Sequence, residues 1–318
     1  MSVALGQGEA TAGIVGCGNM GGRIGRRILA SGPALVGFDA EPSRVEAAGI
    51  PQATSLAELT GKADIILFSL PDSRVIEAVV YGEGGVLESC RAGQVVVDLS
   101  TALPSSTVRI HDAFRAKDVE FVDAGISGGA SGAEKGTLSI MAGGSEETLE
   151  SVRWLLETFA SRIYFMGASG SGHTAKVLNN FLNGVSLAAT AEVMVAAKMA
   201  GLDLETFLDV LNHSSGVNYA TLNRFPAVIK GDYLEGGLTG KLMTKDLELY
   251  AEVMQELGAP TFAAGGCLAA FRIADELGYG DQISNRVVDA IGDMVGGLRL
   301  YDEAPPRAGK HGAVSEEG

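Results

Sequence analysis

Cysteine is scarce in this chain of 318 residues: Cys17, Cys90 and Cys267 are odd in number and far apart. They offer no disulfide framework and no metal-type spacing, so free thiols in a reducing cytoplasm are the expectation. The four histidines, His111, His173, His213 and His311, form no ligand set, and no metal is expected. Positive charge is short as well. Lys and Arg number 24 against 39 Asp and Glu, and the net charge of −15 argues against nucleic acid and anionic membranes as partners. No uninterrupted apolar run reaches membrane-spanning length. The opening "MSVALGQGEAT" lacks the basic region and apolar run of a signal peptide.

Glycine, by contrast, is abundant, with 44 residues, and the hydrophobic fraction of 46% is ample for a sizeable core. The first half alternates strand-length apolar runs with helical segments. "AGIVGCG" (12–18), "ALVGFD" (34–39), "ADIILFSL" (63–70), "QVVVDLS" (94–100) and "EFVDAG" (120–125) are continuous rather than alternating. Such runs suit parallel strands buried on both faces, and "TLSIMAGG" and "RIYFMG" add late strands. After residue 170 strand-like runs vanish. "HTAKVLNNFLNGVSLAATAEVMVAAKMAG" reads as one long helix ending at Gly201. The spacing predicts an α/β fold: an N-terminal Rossmann domain with a doubly wound parallel sheet (1–168), then an all-α domain entered through a long helix (169–301). The polar tail 302–318, rich in Pro and Gly, reads as disordered.

"GIVGCGNMGGRIGRRIL" holds G-x-G-x-x-G at Gly16, Gly18 and Gly21, after a strand and at the opening of a helix. Gly16 permits the tight turn, Gly18 the close approach of a pyrophosphate, and Gly21 close packing of helix on strand. Asn19 and Met20 lie between them in the same loop. Asp39 ends the second run about 20 residues on, where a carboxylate accepts hydrogen bonds from ribose hydroxyls and repels a 2′-phosphate. No arginine follows until Arg44, so NAD is favoured, with NADP as the alternative.

The stretch "GSGHTAKVLNNFLNG" (170–184) sets Lys176, Asn179, Asn180 and Asn183 at i, i+3, i+4 and i+7, one polar stripe on a greasy helix. Taken alone, such a lysine snorkels to water and such asparagines join helices. Beside a dinucleotide fold, the lysine suits the proton step that accompanies hydride transfer, and the amides suit substrate oxygens.

Five stretches together resemble the β-hydroxyacid dehydrogenases: "GIVGCGNMG", "LPDSRVIEAVVYGEGGVL", "DAGISGGASGAEKGTLSIMAGG", "GSGHTAKVLNNFL" and "LMTKDLELY". That family includes 3-hydroxyisobutyrate dehydrogenase, tartronate semialdehyde reductase and, more distantly, 6-phosphogluconate dehydrogenase. The resemblance implies that Lys176 is the general acid and base and that Asn180, preceded by Asn179, orients the substrate. It implies that Ser127, Gly128 and Gly129 grip a carboxylate, and that Lys245 closes over the nicotinamide end. Leu70, Pro71 and Thr101 then flank the cofactor. The family's D-A-P-V-S-G-G reads "DAGISGG" here, and Gly125 in place of proline is expected to loosen that segment. An aromatic common before "KDL" is missing from "EGGLTGKLM".

The function implied is NAD-dependent hydride transfer to or from a small anionic 3-hydroxy acid or its semialdehyde, in a cleft outside the carboxyl ends of the strands. The rival readings are an NADPH-preferring semialdehyde or glyoxylate reductase, an imine reductase, and a non-catalytic NAD sensor. The long apolar helix and the family point to a homodimer or homotetramer.

Overall fold

The computed structural model describes residues 10–301. Residues 1–9 of the N-terminal stretch read as lacking a signal, and the tail 302–318 read as disordered, lie outside the described residues. The chain forms two compact units: one runs to Asn180 and takes in Leu249–Pro260, and the other comprises Phe181–Glu248 and the described residues from Thr261 on.

The first unit is built as β1 (Thr11–Val15), α1 (Gly21–Ala30), β2 (Ala34–Phe38), α2 (Pro42–Ala48), α3 (Leu56–Lys62), β3 (Ile65–Phe68), α4 (Ser73–Tyr81), α5 (Val86–Ser89) and β4 (Val95–Asp98). It continues through α6 (Pro104–Arg115), β5 (Glu120–Ser127), α7 (Gly129–Lys135), β6 (Leu138–Gly143), α8 (Glu146–Leu156) and β7 (Ala160–Gly167) into α9 (Ser171–Met199). The seven strands form one sheet in the order β2-β1-β3-β4-β5-β6-β7. Pairing is parallel from β2 to β5, turns antiparallel between β5 and β6, and is parallel again between β6 and β7.

The continuous apolar runs are explained by burial on both faces. Ile14, Leu67, Val97 and Val122 pack into one core, while Val15, Ile66, Phe68, Val96 and Phe121 pack into the other. Each such side chain taken from water contributes about 1.5–3 kcal/mol. Helix starts follow local chemistry: Asp72 caps α4 by accepting the Val75 N–H at 3.0 Å, and Ser145 caps α8 through Thr148. From β1 the chain adds β2 on one side and β3 on the other, so the switch point of strand order lies between β1 and β3, the place where doubly wound sheets bind ligands at the carboxyl ends of their strands.

The second unit is helical. The later part of α9 is followed by α10 (Leu204–Asn212), α11 (Tyr219–Asn223), α12 (Phe225–Val228), α13 (Gly240–Glu256), α14 (Ala264–Glu276), a 3₁₀ turn (Ser284–Arg286) and α15 (Val287–Met294). Within it α9 meets α13 closely: a Cβ at Gly184 would lie 2.9 Å from Leu247 Cδ2 and 3.1 Å from Met243 Sδ. No described helix is long and apolar enough to cross a membrane.

Candidate active site

The glycine loop turns where β1 ends. Gly16 has φ +91°, a conformation L side chains rarely adopt, and a Cβ there would sit 2.3 Å from Ser69 O. A Cβ at Gly21 would sit 1.9 Å from Gly16 O, so both positions exclude any side chain. Gly18 is different, because no atom lies within 4 Å of its would-be Cβ. The backbone there is bare and open to a phosphate. Met20 precedes α1 without a side-chain cap, leaving the first turn to an incoming anion. These features fit the pyrophosphate of a dinucleotide.

Asp39 follows β2 and is almost fully buried. Its Oδ2 accepts the Cys17 N–H at 2.8 Å and its Oδ1 the Glu41 N–H at 2.9 Å. A carboxylate offers about four lone pairs, so these two bonds leave acceptor capacity for ribose hydroxyls. Arg44 turns toward this corner, 2.8 Å from Glu41 and 3.9 Å from Asp39. Burial, and then the Asp39 charge, push the Cys17 thiol up to about 12. One residue of α1 beside the loop carried little signal in the sequence. Arg23 donates from Nη1 to Asn19 O at 2.7 Å and to Asn19 Oδ1, and from Nε to Glu134 on α7 at 2.7 Å. The i, i+4 spacing of Asn19 and Arg23 was its only signal.

Residues Leu70, Pro71 and Thr101 follow the carboxyl ends of β3 and β4, whose last residues Phe68 and Asp98 are paired with each other, Phe68 also with Val15 of β1. The Leu70 N–H donates to Ser100 Oγ at 3.0 Å, which ties the two strand ends together. Ser127 closes β5, and Gly128 and Gly129 follow with φ of +125° and +63°. Two consecutive residues with positive φ make a turn that only glycine enters without strain. The sheet thus brings the glycine loop, Asp39, Leu70, Pro71, Thr101 and the Ser127–Gly129 turn to the carboxyl ends of its strands.

The start of α9 is pinned to the same sheet. Asp123 of β5, fully buried, accepts the Gly170 N–H at 2.8 Å and the His173 N–H at 2.9 Å. The His173 ring meets Thr107 Oγ1 at 2.7 Å and the Asp98 carbonyl at 3.2 Å. Burial raises the Asp98 carboxyl above its ordinary range, with nearby His173 opposing the shift. One turn on, Lys176 is buried at 8% exposure, and its Nζ donates to Asn180 Oδ1 at 2.7 Å; Asn180 is itself 5% exposed.

Two expectations change here. Asn179 is exposed rather than inward, and its Nδ2 reaches only Asn180 Oδ1, at 3.3 Å. At 3.6 residues per turn it lies about 60° round from Lys176, farther than Asn180 or Asn183. Gly125 does not loosen its segment. It pairs with Met141 inside the sheet, and a Cβ there would be 2.5 Å from Lys176 Cβ, so glycine is what lets the lysine stem lie on β5. Lys245 lies on α13 in the second unit, 2.8 Å from the carboxylate of buried Asp246.

Residues 11–167 match the NAD-binding domain of 6-phosphogluconate dehydrogenase, and residues 170–291 match the family described as NAD-binding of NADP-dependent 3-hydroxyisobutyrate dehydrogenase. The chain is 34% identical over 287 residues to a 2-(hydroxymethyl)glutarate dehydrogenase of Eubacterium barkeri, spanning 89% of this chain and 95% of that protein. It is 34% identical over 278 residues to an NAD-dependent L-serine dehydrogenase of Pseudomonas aeruginosa, spanning 84% and 93%. Among solved structures it superposes on Mycobacterium tuberculosis 3-hydroxyisobutyrate dehydrogenase with L-serine, with a TM-score of 0.81 and 27% identity, over 88% of this chain and 98% of that one.

Proposed function

The chain belongs to the family of NAD-binding hydroxyacid dehydrogenases typified by 3-hydroxyisobutyrate dehydrogenase, and from that premise we propose that it interconverts a small 3-hydroxy acid and its semialdehyde, with Lys176 as general acid and base. The observation that carries this reading is the buried amine of Lys176, seated at 2.7 Å on Asn180 Oδ1. Three of the substrates in the relatives' names share a chemistry: in hydroxymethylglutarate, serine and hydroxyisobutyrate a CH2OH group is bonded to the middle carbon, which also bears a carboxylate. They differ in the substituent on that middle carbon.

In this mechanism the Ser127 hydroxyl and the N–H groups of Gly128 and Gly129 bind the carboxylate as an anion nest. Asn180 fixes the substrate hydroxyl. Lys176 Nζ takes the hydroxyl proton as the C–H bond breaks and the C=O bond forms. In the reverse direction it returns that proton to the alkoxide oxygen. Bound NAD supplies the hydride acceptor. Gly16, Gly18, Asn19, Met20, Gly21 and Asp39 hold its adenosine and pyrophosphate. Leu70, Pro71 and Thr101 flank the nicotinamide end. The carboxylate of Asp39 favours NAD over NADP, since a 2′-phosphate there meets negative charge.

This reading assigns residues 1–168 to cofactor binding and 169–301 to substrate binding and self-association. A homodimer or homotetramer accounts for the apolar side chains that α9 exposes, Leu182 at 67% and Met199 at 60% among them. The cytoplasm suits its three free thiols.

Replacing Lys176 by Ala is the direct test. Turnover of a 3-hydroxy acid should fall by about 10²–10⁴, the usual range for lost acid–base catalysis, while titrated NAD affinity stays near wild type. Turnover close to wild type in that variant removes Lys176 from the mechanism.

A further inference from the structure

His173 stands one turn before Lys176 on α9, and the mechanism above leaves it unused. Counted round the helix from Lys176, His173 lies about 60° and Asn180 about 40° to the same side, while Asn179 lies about 60° to the other. Burial follows that division: His173 and Asn180 are buried, and Asn179 is exposed. A buried imidazole is costly unless its ring nitrogens are bonded, and an apolar side chain fills the same space without that demand. Here both nitrogens are engaged. Nδ1 lies 2.7 Å from Thr107 Oγ1 on α6, and Nε2 lies 3.2 Å from Asp98 O at the end of β4. A carbonyl oxygen only accepts, so Nε2 carries a hydrogen. The Asp98 carboxylate stands farther off, with Oδ2 at 4.0 Å from Nε2.

The bond to Asp98 joins two parts of the site. From Asp98 a run of bonds leads to the cofactor side. Its Oδ1 accepts the Ser100 N–H at 3.0 Å, and Ser100 Oγ accepts the Leu70 N–H at 3.0 Å. Leu70, and Thr101 next to Ser100, are the residues read as flanking the nicotinamide. In the other direction the His173 N–H donates to Asp123 Oδ2 at 2.9 Å, in the turn that leads into Lys176. Asp98, Ser100, Thr107, Asp123 and His173 are all buried, and all belong to the first compact unit.

We infer that His173 is a positioning residue for the hydride and proton steps: through Asp98 it fixes how far the Lys176 amine stands from the strand ends that flank the nicotinamide. The inference rests on the reading of Lys176 as general acid and base. His173 itself meets no reacting atom. An error of about 1 Å in such a separation costs on the order of 10² in rate.

Three variants of the full chain separate this role from packing alone. A glutamine places a donor where Nε2 stands, an asparagine places one where Nδ1 stands, and a leucine places neither. Turnover is measured with NAD and the 3-hydroxy acid that the wild type oxidises fastest. His173→Leu and His173→Asn should each lose about 10² in kcat with the KM for NAD near the wild-type value, and His173→Gln should regain most of that loss. Wild-type kcat in His173→Leu overturns the inference. So does a loss that follows the urea midpoints of the three variants rather than the donor at Nε2. Where His173→Leu fails to fold, the comparison of His173→Gln with His173→Asn decides. A second readout uses the wild type. Its histidine ¹⁵N spectrum at pH 7 should show an Nε2 hydrogen that persists against exchange with water, from the one fully buried histidine among the described residues; an Nε2 without hydrogen overturns the inference. Turnover lost in Lys176→Ala and kept in His173→Leu leaves the lysine reading standing and sinks the positioning role. Turnover kept in Lys176→Ala, or a wild type that oxidises no 3-hydroxy acid, sinks that reading and the inference with it.

Discussion

Replacing Gly125 by Ala puts a carbon 2.5 Å from Lys176 Cβ and 2.8 Å from its Cγ. Carbon pairs rest at about 3.5–4.0 Å, so the two elements must part by about 1 Å. The lysine cannot escape by changing rotamer, because its Cβ is fixed to the helix backbone. Nor is the backbone free to give. Gly125 pairs with Met141, and Asp123 holds the start of α9 through the Gly170 and His173 N–H groups. Overpacking of this kind costs about 1–3 kcal/mol. The smaller unfolded-state entropy of alanine offsets about 0.4–1 kcal/mol of that. A net loss of up to about 2.5 kcal/mol should appear in urea unfolding, read as a lower midpoint at unchanged slope. The larger effect is on chemistry, since displacing the Lys176 amine by about 1 Å costs on the order of 10² in kcat. Wild-type stability together with wild-type turnover in Gly125→Ala refutes the idea that glycine is there to seat the lysine.

Two further outcomes follow from the cofactor corner and the thiols. Asp39→Ala should raise the KM for NAD and shift the NADP/NAD ratio of kcat/KM upward by about tenfold, the strength of one charged hydrogen bond; an unchanged ratio removes Asp39 from cofactor choice. Burial pushes the thiols of Cys17 and Cys267 up to about 12, so at pH 8 only about one molecule in 10⁴ is thiolate at either site. Native protein treated with a disulfide reagent at that pH should therefore be labelled at half-buried Cys90 alone, with the other two reacting after denaturation; fast native labelling of Cys17 contradicts its placement under the glycine loop.

Much of this molecule was legible in the chain itself, wherever the physics is local. Continuous apolar runs announced strands buried on both faces. The glycine spacing announced a turn that Gly16 and Gly21 close against backbone oxygens, and Asp39 sat at its expected distance. The long helix after residue 170 was readable from the loss of strand-like runs, and the stripe that carries Lys176 and Asn180 from helical spacing. What periodicity could not decide was the set of contacts between residues far apart in sequence. The reversal of β6 against β5, the fit of Gly125 under the Lys176 stem, and the bond from His173 to Asp98 all join segments tens of residues apart. Helix and strand periods report which face of an element is apolar, and only the packed fold decides what that face meets.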